Sequence, residues 1–334
     1  MARHPWVAAA DQGIRWGVQL IVPDANDALP NLMKTGKRVE ELGYDAIFIF
    51  DHPAIHVDPW IALSGLAVAT DRVRLGSAVN CAGYRHPAHL ARLAADLDNL
   101  SEGRHILGIG SGWWQAEYDV LDIPFDPLPK RQAALDEALQ IITGAWGSDS
   151  FSFEGTYLRT TGATITPAPV QSPRPPILIG GSGEKKTLSQ VARFADACNV
   201  REDESLSDNS IPDTQRASTV RRKLDALSEH CQTLGRPEEE ILRTHFSLYL
   251  LLAPTEAEAA AKLANLDTSK STSPGTRRSG KSAILCGTPE RVIAYYNAMV
   301  AVGIQYFVVQ LDGTDLETIT LLAEEVAPHV SRKP

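Results

Sequence analysis

The chain is poor in cysteine. It has four in 334 residues, Cys81, Cys198, Cys231 and Cys286, all far apart. No C-x-x-C pair occurs, which excludes a zinc ribbon and a thioredoxin-type motif and points to free buried thiols in a reducing compartment. Long apolar runs are also missing. Nothing approaches the ~18 residues of a membrane span. The opening residues, Met1-Ala2-Arg3-His4-Pro5-Trp6, lack the apolar stretch of ~7–15 residues that a signal peptide needs. The cytoplasm is therefore the expected location. Positive charge is not in excess either: the formal net charge is −9. An acidic surface argues against nucleic acid or an anionic membrane as partner and leaves small molecules open.

What the chain does have is an alternation of short apolar runs with long amphipathic stretches. Ile14–Val22, Ala46–Phe50, Val73–Val79, His105–Ile109, Ile177–Ile179, Ala197–Val200, Thr244–Leu252 and Ile304–Leu311 read as strands. Several are apolar throughout, as strands buried on both faces of a parallel sheet are. Between them, Leu90, Leu93, Ala94, Leu97 and Leu100 recur at helical spacing. So do Leu135, Ala138, Leu139 and Ile142, and Val220, Leu224, Leu227 and Leu234. Gly43, Gly103 and Gly303 stand where helices end in a left-handed residue. Thr288-Pro289 reads as N-cap and first turn of a late helix. Open doubly wound sheets and closed barrels both alternate in this way. Eight β–α units in a chain of this length favour an α/β fold of the (β/α)8 TIM-barrel type, one domain spanning 1–334.

Three insertions interrupt the pattern. Residues 149–176 read as a β-hairpin around Glu154-Gly155 followed by a stiff connector with five prolines in Pro167–Pro176. The stretches 201–218 and 265–282 are polar and read as lid loops.

In a parallel barrel the C-terminal strand ends converge on one mouth, where active sites form. Four groups of residues fall at such ends. Asp51-His52 offers an acceptor beside a side chain that titrates near neutrality. Gly76 within the third strand suggests a bulge or a close backbone approach, and Asn80 beyond it supplies an amide. Gly108-Ile109-Gly110-Ser111-Gly112-Trp113-Trp114 lets a flat ligand approach the backbone, with tryptophan as a wall for a ring system or as core; its spacing is not the dinucleotide G-x-G-x-x-G. Gly180-Gly181-Ser182-Gly183 opens a helix with glycine-rich amides, an anion site that fits no Walker A frame.

Taken in order, these residues resemble the luciferase-like monooxygenase superfamily, and within it the coenzyme F420-dependent oxidoreductases. The matching pieces are Glu41-Leu42-Gly43-Tyr44-Asp45, Asp51-His52, Arg74-Leu75-Gly76, Tyr84-Arg85-His86-Pro87, Gly108-x-Gly110-x-Gly112-Trp113, Phe153-Glu154-Gly155, Pro175 through Gly183, and Gly287-Thr288-Pro289-Glu290. The resemblance implies a barrel holding F420, or FMN as the alternative, in its mouth, and a homodimer acting on a small-molecule substrate. It implies a non-prolyl cis peptide at Ala78-Val79 backing the ring and phosphate on Ser182 and Gly183, with Lys185 or Lys186 near the tail. Asp51, Asn80, Ser111 and Gly112 would lie about the ring, with His52 as acid/base. Sugar-phosphate dehydrogenases of the family carry Glu where Trp113 stands here. That departure argues against a sugar phosphate, with Glu117 one turn on as the substitute carboxylate. Lys270, Arg277, Arg278 and Lys281 in the last lid lean toward F420, whose tail ends in glutamates.

Two rival readings stand beside this one. Asp51, His52, His56, Asp58, His86 and His89 hold six potential ligands for a metal-dependent hydrolase, although Pro53 disfavours a helix that would put His52 and His56 on one face. The expectation is no metal. The other rival is a flavin-binding protein without turnover.

Overall fold

The computed structural model describes residues 3–22, 26–203, 205, 211–247, 249–268 and 280–331. Eight parallel strands form the centre: β1 Arg15–Ile21, β2 Ala46–Ile49, β3 Arg74–Ser77, β4 His105–Gly110, β5 Ile177–Gly180, β6 Ala197–Val200, β7 Leu242–Ser247 and β8 Tyr306–Asp312. Each pairs with its sequence neighbours, and β8 returns to β1 with Gly17 opposite Val308, so the sheet closes. The expected (β/α)8 barrel is the fold.

Each strand run named from sequence overlaps one barrel strand. A helix follows each before the next begins: Ala28–Glu41, Pro59–Ala69, Pro87–Leu100, Leu128–Trp146, Thr187–Phe194, Asp213–Leu234, Pro289–Ala301 and Leu316–Leu321. Their apolar stripes pack on the outer face of the sheet in one large core. A smaller core fills the barrel itself, where Phe48, Ile106, Leu178, Leu242, Tyr306 and Val308 meet Trp6, fully buried. The short helix Pro5–Ala8 carries that tryptophan, and Trp6 Nε1 donates to Asp45 at 3.1 Å, fixing it in place. With that end filled, the other end is where ligand space remains.

Gly43, Gly103 and Gly303 have φ of +82°, +81° and +109°, the left-handed stops the sequence predicts. Gly76 serves close approach: a Cβ there would sit 2.5 Å from the Phe48 ring. The chain irregularity comes two residues later, at a cis peptide between Ala78 and Val79, after which Asn80–Cys81 pairs with β4 again.

The hairpin is present as Phe151–Glu154 against Arg159–Ala163. Glu137, on the helix beneath it, accepts the amides of Thr156, Tyr157 and Leu158 at 2.8, 2.9 and 2.7 Å, tying the insertion to the barrel.

Two expectations need correction. The run Thr244–Leu252 is two strands: β7 stays in the barrel, while Leu250–Leu252 leaves to pair with Leu285–Gly287. The polar stretch 201–218 is not loop throughout, because the helix Asp213–Leu234 takes its last six residues and buries Arg216 and Ala217. Within 265–282, Lys270, Arg277 and Arg278 lie outside the described residues, and Lys281 Nζ donates to Ala264 O at 2.7 Å. Among the described residues no helix is long and apolar enough to cross a membrane.

Candidate active site

At the C-terminal mouth lies one cavity of about 450 Å³. Thirteen residues singled out from sequence line it: Asp51, His52, Ala78, Val79, Asn80, Ser111, Gly112, Trp113, Glu117, Gly180, Gly181, Ser182 and Gly183. They come from the ends of β2, β3, β4 and β5, with Glu117 on the short helix Gln115–Val120, and closure of the sheet is what unites them.

His52 and Glu117 form a pair. His52 Nδ1 lies 2.8 and 2.9 Å from the two oxygens of Glu117, whose side chain is 1% exposed. Tyr84 Oη donates to the same carboxylate at 2.7 Å. With both carboxylate oxygens accepting, Nδ1 carries the hydrogen and Nε2 keeps its lone pair as the basic atom, the tautomer logic of a carboxylate-oriented histidine. Aromatic rings surround the imidazole. Phe50 lies 5.2 Å away, and Trp113 and Trp114 each 6.0 Å, both near edge-on. The tandem tryptophans stack on each other, and Trp113 is 48% exposed, so it is mouth wall and not core.

Asp51 is otherwise engaged. Its carboxylate is buried and takes Arg85 at 2.5 and 3.3 Å and the Cys81 amide at 3.3 Å. Burial raises its pKa, and Arg85 opposes the rise. A carboxylate so paired holds the Cys81–Arg85 turn against the end of β2 while still lining the cavity. Arg85 also reaches Asp58 at 2.8 Å, and Asp58 caps the helix Pro59–Ala69. Nothing in the local sequence announces Arg85 as this counter-ion.

Asn80 is fully buried. Its Nδ2 donates to Ser77 Oγ at 2.5 Å and Gly108 O at 3.1 Å, which fixes the amide orientation. Its Oδ1 has no partner among the described residues. A buried acceptor left unmade is costly, so an N–H from a bound ligand would find a ready site. Nearby, Gln19 donates to Ala78 O and accepts from Gln310 at 2.6 Å, and both glutamines line the cavity.

The glycines of β4 and of the turn beyond it sit against neighbouring protein. A Cβ on Gly108 would fall 1.7 Å from Ser77 O, and one on Gly110 3.0 Å from Val79. Gly112, at φ +75°, would strike Tyr118 and Cys81. They make room for neighbouring protein, and Gly110 and Gly112 also line the cavity. Gly180 likewise yields to Val79, at 2.8 Å.

Beyond Gly180, the turn Gly181-Ser182-Gly183 leads to the helix Thr187–Phe194. Arg201 faces the same cavity; it directly follows β6, at the start of the polar stretch 201–218 that reads as a lid from sequence. Its backbone N–H bonds Ser182 Oγ at 3.3 Å, its carbonyl takes Lys223 Nζ at 2.6 Å, and its Nε is buried without a partner among the described residues. Serine hydroxyl, glycine amides and guanidinium together suit an anion. Lys186 is held by Asp136 at 2.5 Å, and Lys185 is exposed.

Glu202 anchors the segment from behind, 3.0 Å from His245 Nε2 and 3.3 Å from Tyr295 Oη. Burial pushes its pKa up, but the bond to His245, that ring's charge and a backbone amide bring it down to about 2. A carboxylate depressed in the fold contributes stability above its unfolded value of 4.5 and loses it as pH falls toward 2. Urea midpoints of the wild type should therefore drop over that window more steeply than those of Glu202→Gln. Equal slopes would remove the assignment.

The metal reading finds no cluster: among the described residues no three His, Cys, Asp or Glu side chains gather as a metal site needs. Residues 52–56 do form a single turn despite Pro53, His56 N–H bonding His52 O at 2.9 Å, since proline suits a first turn. His56 nevertheless turns inward and accepts the Val22 amide, burial lowering its pKa to about 3. His86 bonds Arg159 O across the mouth rim.

The sequence pattern of the luciferase-like monooxygenases matches residues 11–306. The F420-dependent glucose-6-phosphate dehydrogenase of Microbacterium testaceum (strain StLB037) is 27% identical over 325 residues, covering 91% of this chain and 94% of that protein. The coenzyme F420-dependent tetrahydromethanopterin reductase of Methanopyrus kandleri superposes with a TM-score of 0.76 at 20% identity, covering 95% of this chain and 99% of that one. An F420-dependent secondary alcohol dehydrogenase in complex with an F420-acetone adduct gives the same TM-score and identity over 96% and 99%.

Proposed function

The chain belongs to the luciferase-like monooxygenase family, and from that premise we propose that it is an F420-dependent oxidoreductase acting on a small organic substrate, with His52 handling the proton. The observation that carries this reading is a single cavity with the His52–Glu117 pair on one wall and the Gly181-Ser182-Gly183 turn with Arg201 on another. The F420 enzymes among the relatives support the cofactor.

The residues present fit a deazaflavin. Asn80 Oδ1 offers a buried acceptor for a ring N–H, the Ala78-Val79 segment a back wall, and Ser182, Gly183 and Arg201 a phosphate site. When bound, F420 supplies a hydride carrier at C5 and lacks the nitrogen that flavins use in peroxide chemistry. The protein's own part is the proton. Glu117 fixes the His52 tautomer, and Nε2 takes the substrate's proton in oxidation or returns it in reduction. Phe50, Trp113 and Trp114 keep that nitrogen in apolar surroundings. By the family resemblance Trp113 stands where sugar-phosphate dehydrogenases carry a Glu, which favours an uncharged substrate over a sugar phosphate.

Equilibrium titration with F420 and with FMN, followed by cofactor fluorescence, tests the reading. Binding of F420 with a Kd at least about tenfold below that for FMN is expected, a difference of about 1.4 kcal/mol. Tight FMN binding with none for F420 would transfer the proposal to oxygen chemistry.

A further inference from the structure

We infer that Tyr84 is a positioning residue that sets the proton affinity of the His52–Glu117 pair. This rests on the reading of His52 as the acid/base and adds a residue to it.

The geometry is that of a three-member relay. Glu117 lies between its two donors, Tyr84 Oη at 2.7 Å and His52 Nδ1 at 2.8 Å. The three come from the β2 end, the turn after β3 and the helix Gln115–Val120, so only the closed barrel brings them together. Tyr84 itself is braced by Tyr118, ring centroids 5.2 Å apart and near perpendicular. Burial drives the pKa of its hydroxyl far above the usual phenol value, and Cys81 and Glu117 add to the rise, so the O–H remains a donor at any working pH.

A charge-assisted bond from that hydroxyl draws off part of the carboxylate's charge. It therefore lowers the pull of Glu117 on an imidazolium at His52. Remove the hydroxyl, and the carboxylate turns its full charge on the ring, so the pair holds its proton to higher pH.

Other groups about the pair are accounted for. Cys81 is buried with its thiol pushed up to about 11, and His56 is lowered to about 3, so neither changes charge near neutrality. Asp51, Arg85 and Asp58 are tied to one another. Tyr118, raised by burial, stays protonated.

The test is Tyr84→Phe, which keeps the ring and its packing on Tyr118. Two measurements are made: the His52 imidazole titration by nitrogen NMR in cofactor-free protein, and the pH profile of kcat/KM with F420. Both transitions should rise by about one pH unit, the size expected for losing one hydrogen bond to a charged group. A purely structural tyrosine would lower the rate equally at every pH, with the NMR midpoint unmoved, and that result overturns the inference. If the NMR midpoint rises and the rate profile stays put, the role of Tyr84 stands and the assignment of His52 as acid/base falls.

Discussion

Replacing His52 by alanine should lower turnover by about 10²–10⁴-fold, the range that a positioned general acid or base contributes, and leave F420 affinity within a few-fold. The dissociation of the two effects is the point. The anion turn at Ser182-Gly183, Arg201 and the acceptor on Asn80 lie on other walls of the cavity, and none of them bonds to His52. The alanine variant has one weakness: it leaves Glu117, 1% exposed, with Tyr84 as its remaining hydrogen-bond donor. His52→Asn answers it. The asparagine amide keeps a donor toward the carboxylate where Nδ1 was and supplies no base. Equal loss in both variants, with binding retained, assigns the lost rate to Nε2. Full turnover in either one would leave a cofactor-binding protein whose chemistry lies elsewhere. Loss of binding in both would make His52 part of the cofactor's seat.

The barrel was legible because its signals are local and repeated: apolar runs, helical stripes between them, and glycine at three helix ends. The site was legible for the same reason one step on, since strand ends must meet when the sheet closes. That rule found Asp51, His52, Asn80 and the Gly180–Gly183 turn. Applied consistently, it would also have found Arg201, the first residue after β6. It could not find Arg85 as the partner of Asp51, or Tyr84 as the partner of Glu117, because those pairs are 34 and 33 residues apart and no local pattern encodes them. The glycines at the end of β4 carry an ambiguity of a physical kind. An absent Cβ says that something comes close, not whether the visitor is ligand or protein. Here the visitors are Ser77 O, Val79, Tyr118 and Cys81. The run Thr244–Leu252 shows a related limit. It carries no turn signal, and the second half departs because Leu285–Gly287 offers it a partner outside the barrel.

Gly108→Ala should be the most damaging single substitution, losing more than about 3 kcal/mol, the upper end of ordinary overpacking. The added Cβ would lie 1.7 Å from Ser77 O and 2.8 Å from Ser77 C, backbone atoms of the neighbouring strand that cannot swing aside. To relieve the contact β3 and β4 must part, breaking the bonds between Gly108 and Ser77 Oγ at 2.9 and 3.1 Å and freeing Asn80 Nδ2 from Gly108 O. Fold and site are thus joined at one residue: the glycine that lets the strands approach also presents the carbonyl that orients the amide proposed to meet the cofactor. Gly180→Ala is the matched comparison. Its Cβ would meet the Val79 side chain at 2.8 Å, and a side chain can be shortened. Adding Val79→Ala should therefore recover most of the stability lost in Gly180→Ala and little of that lost in Gly108→Ala, where the obstacle is main chain. Denaturant melts of the two single variants and two double variants measure the coupling directly. Rescue of Gly108→Ala by the valine change would show that the strands yield more easily than the close contact implies, and the proposed link between strand spacing and Asn80 would fail with it.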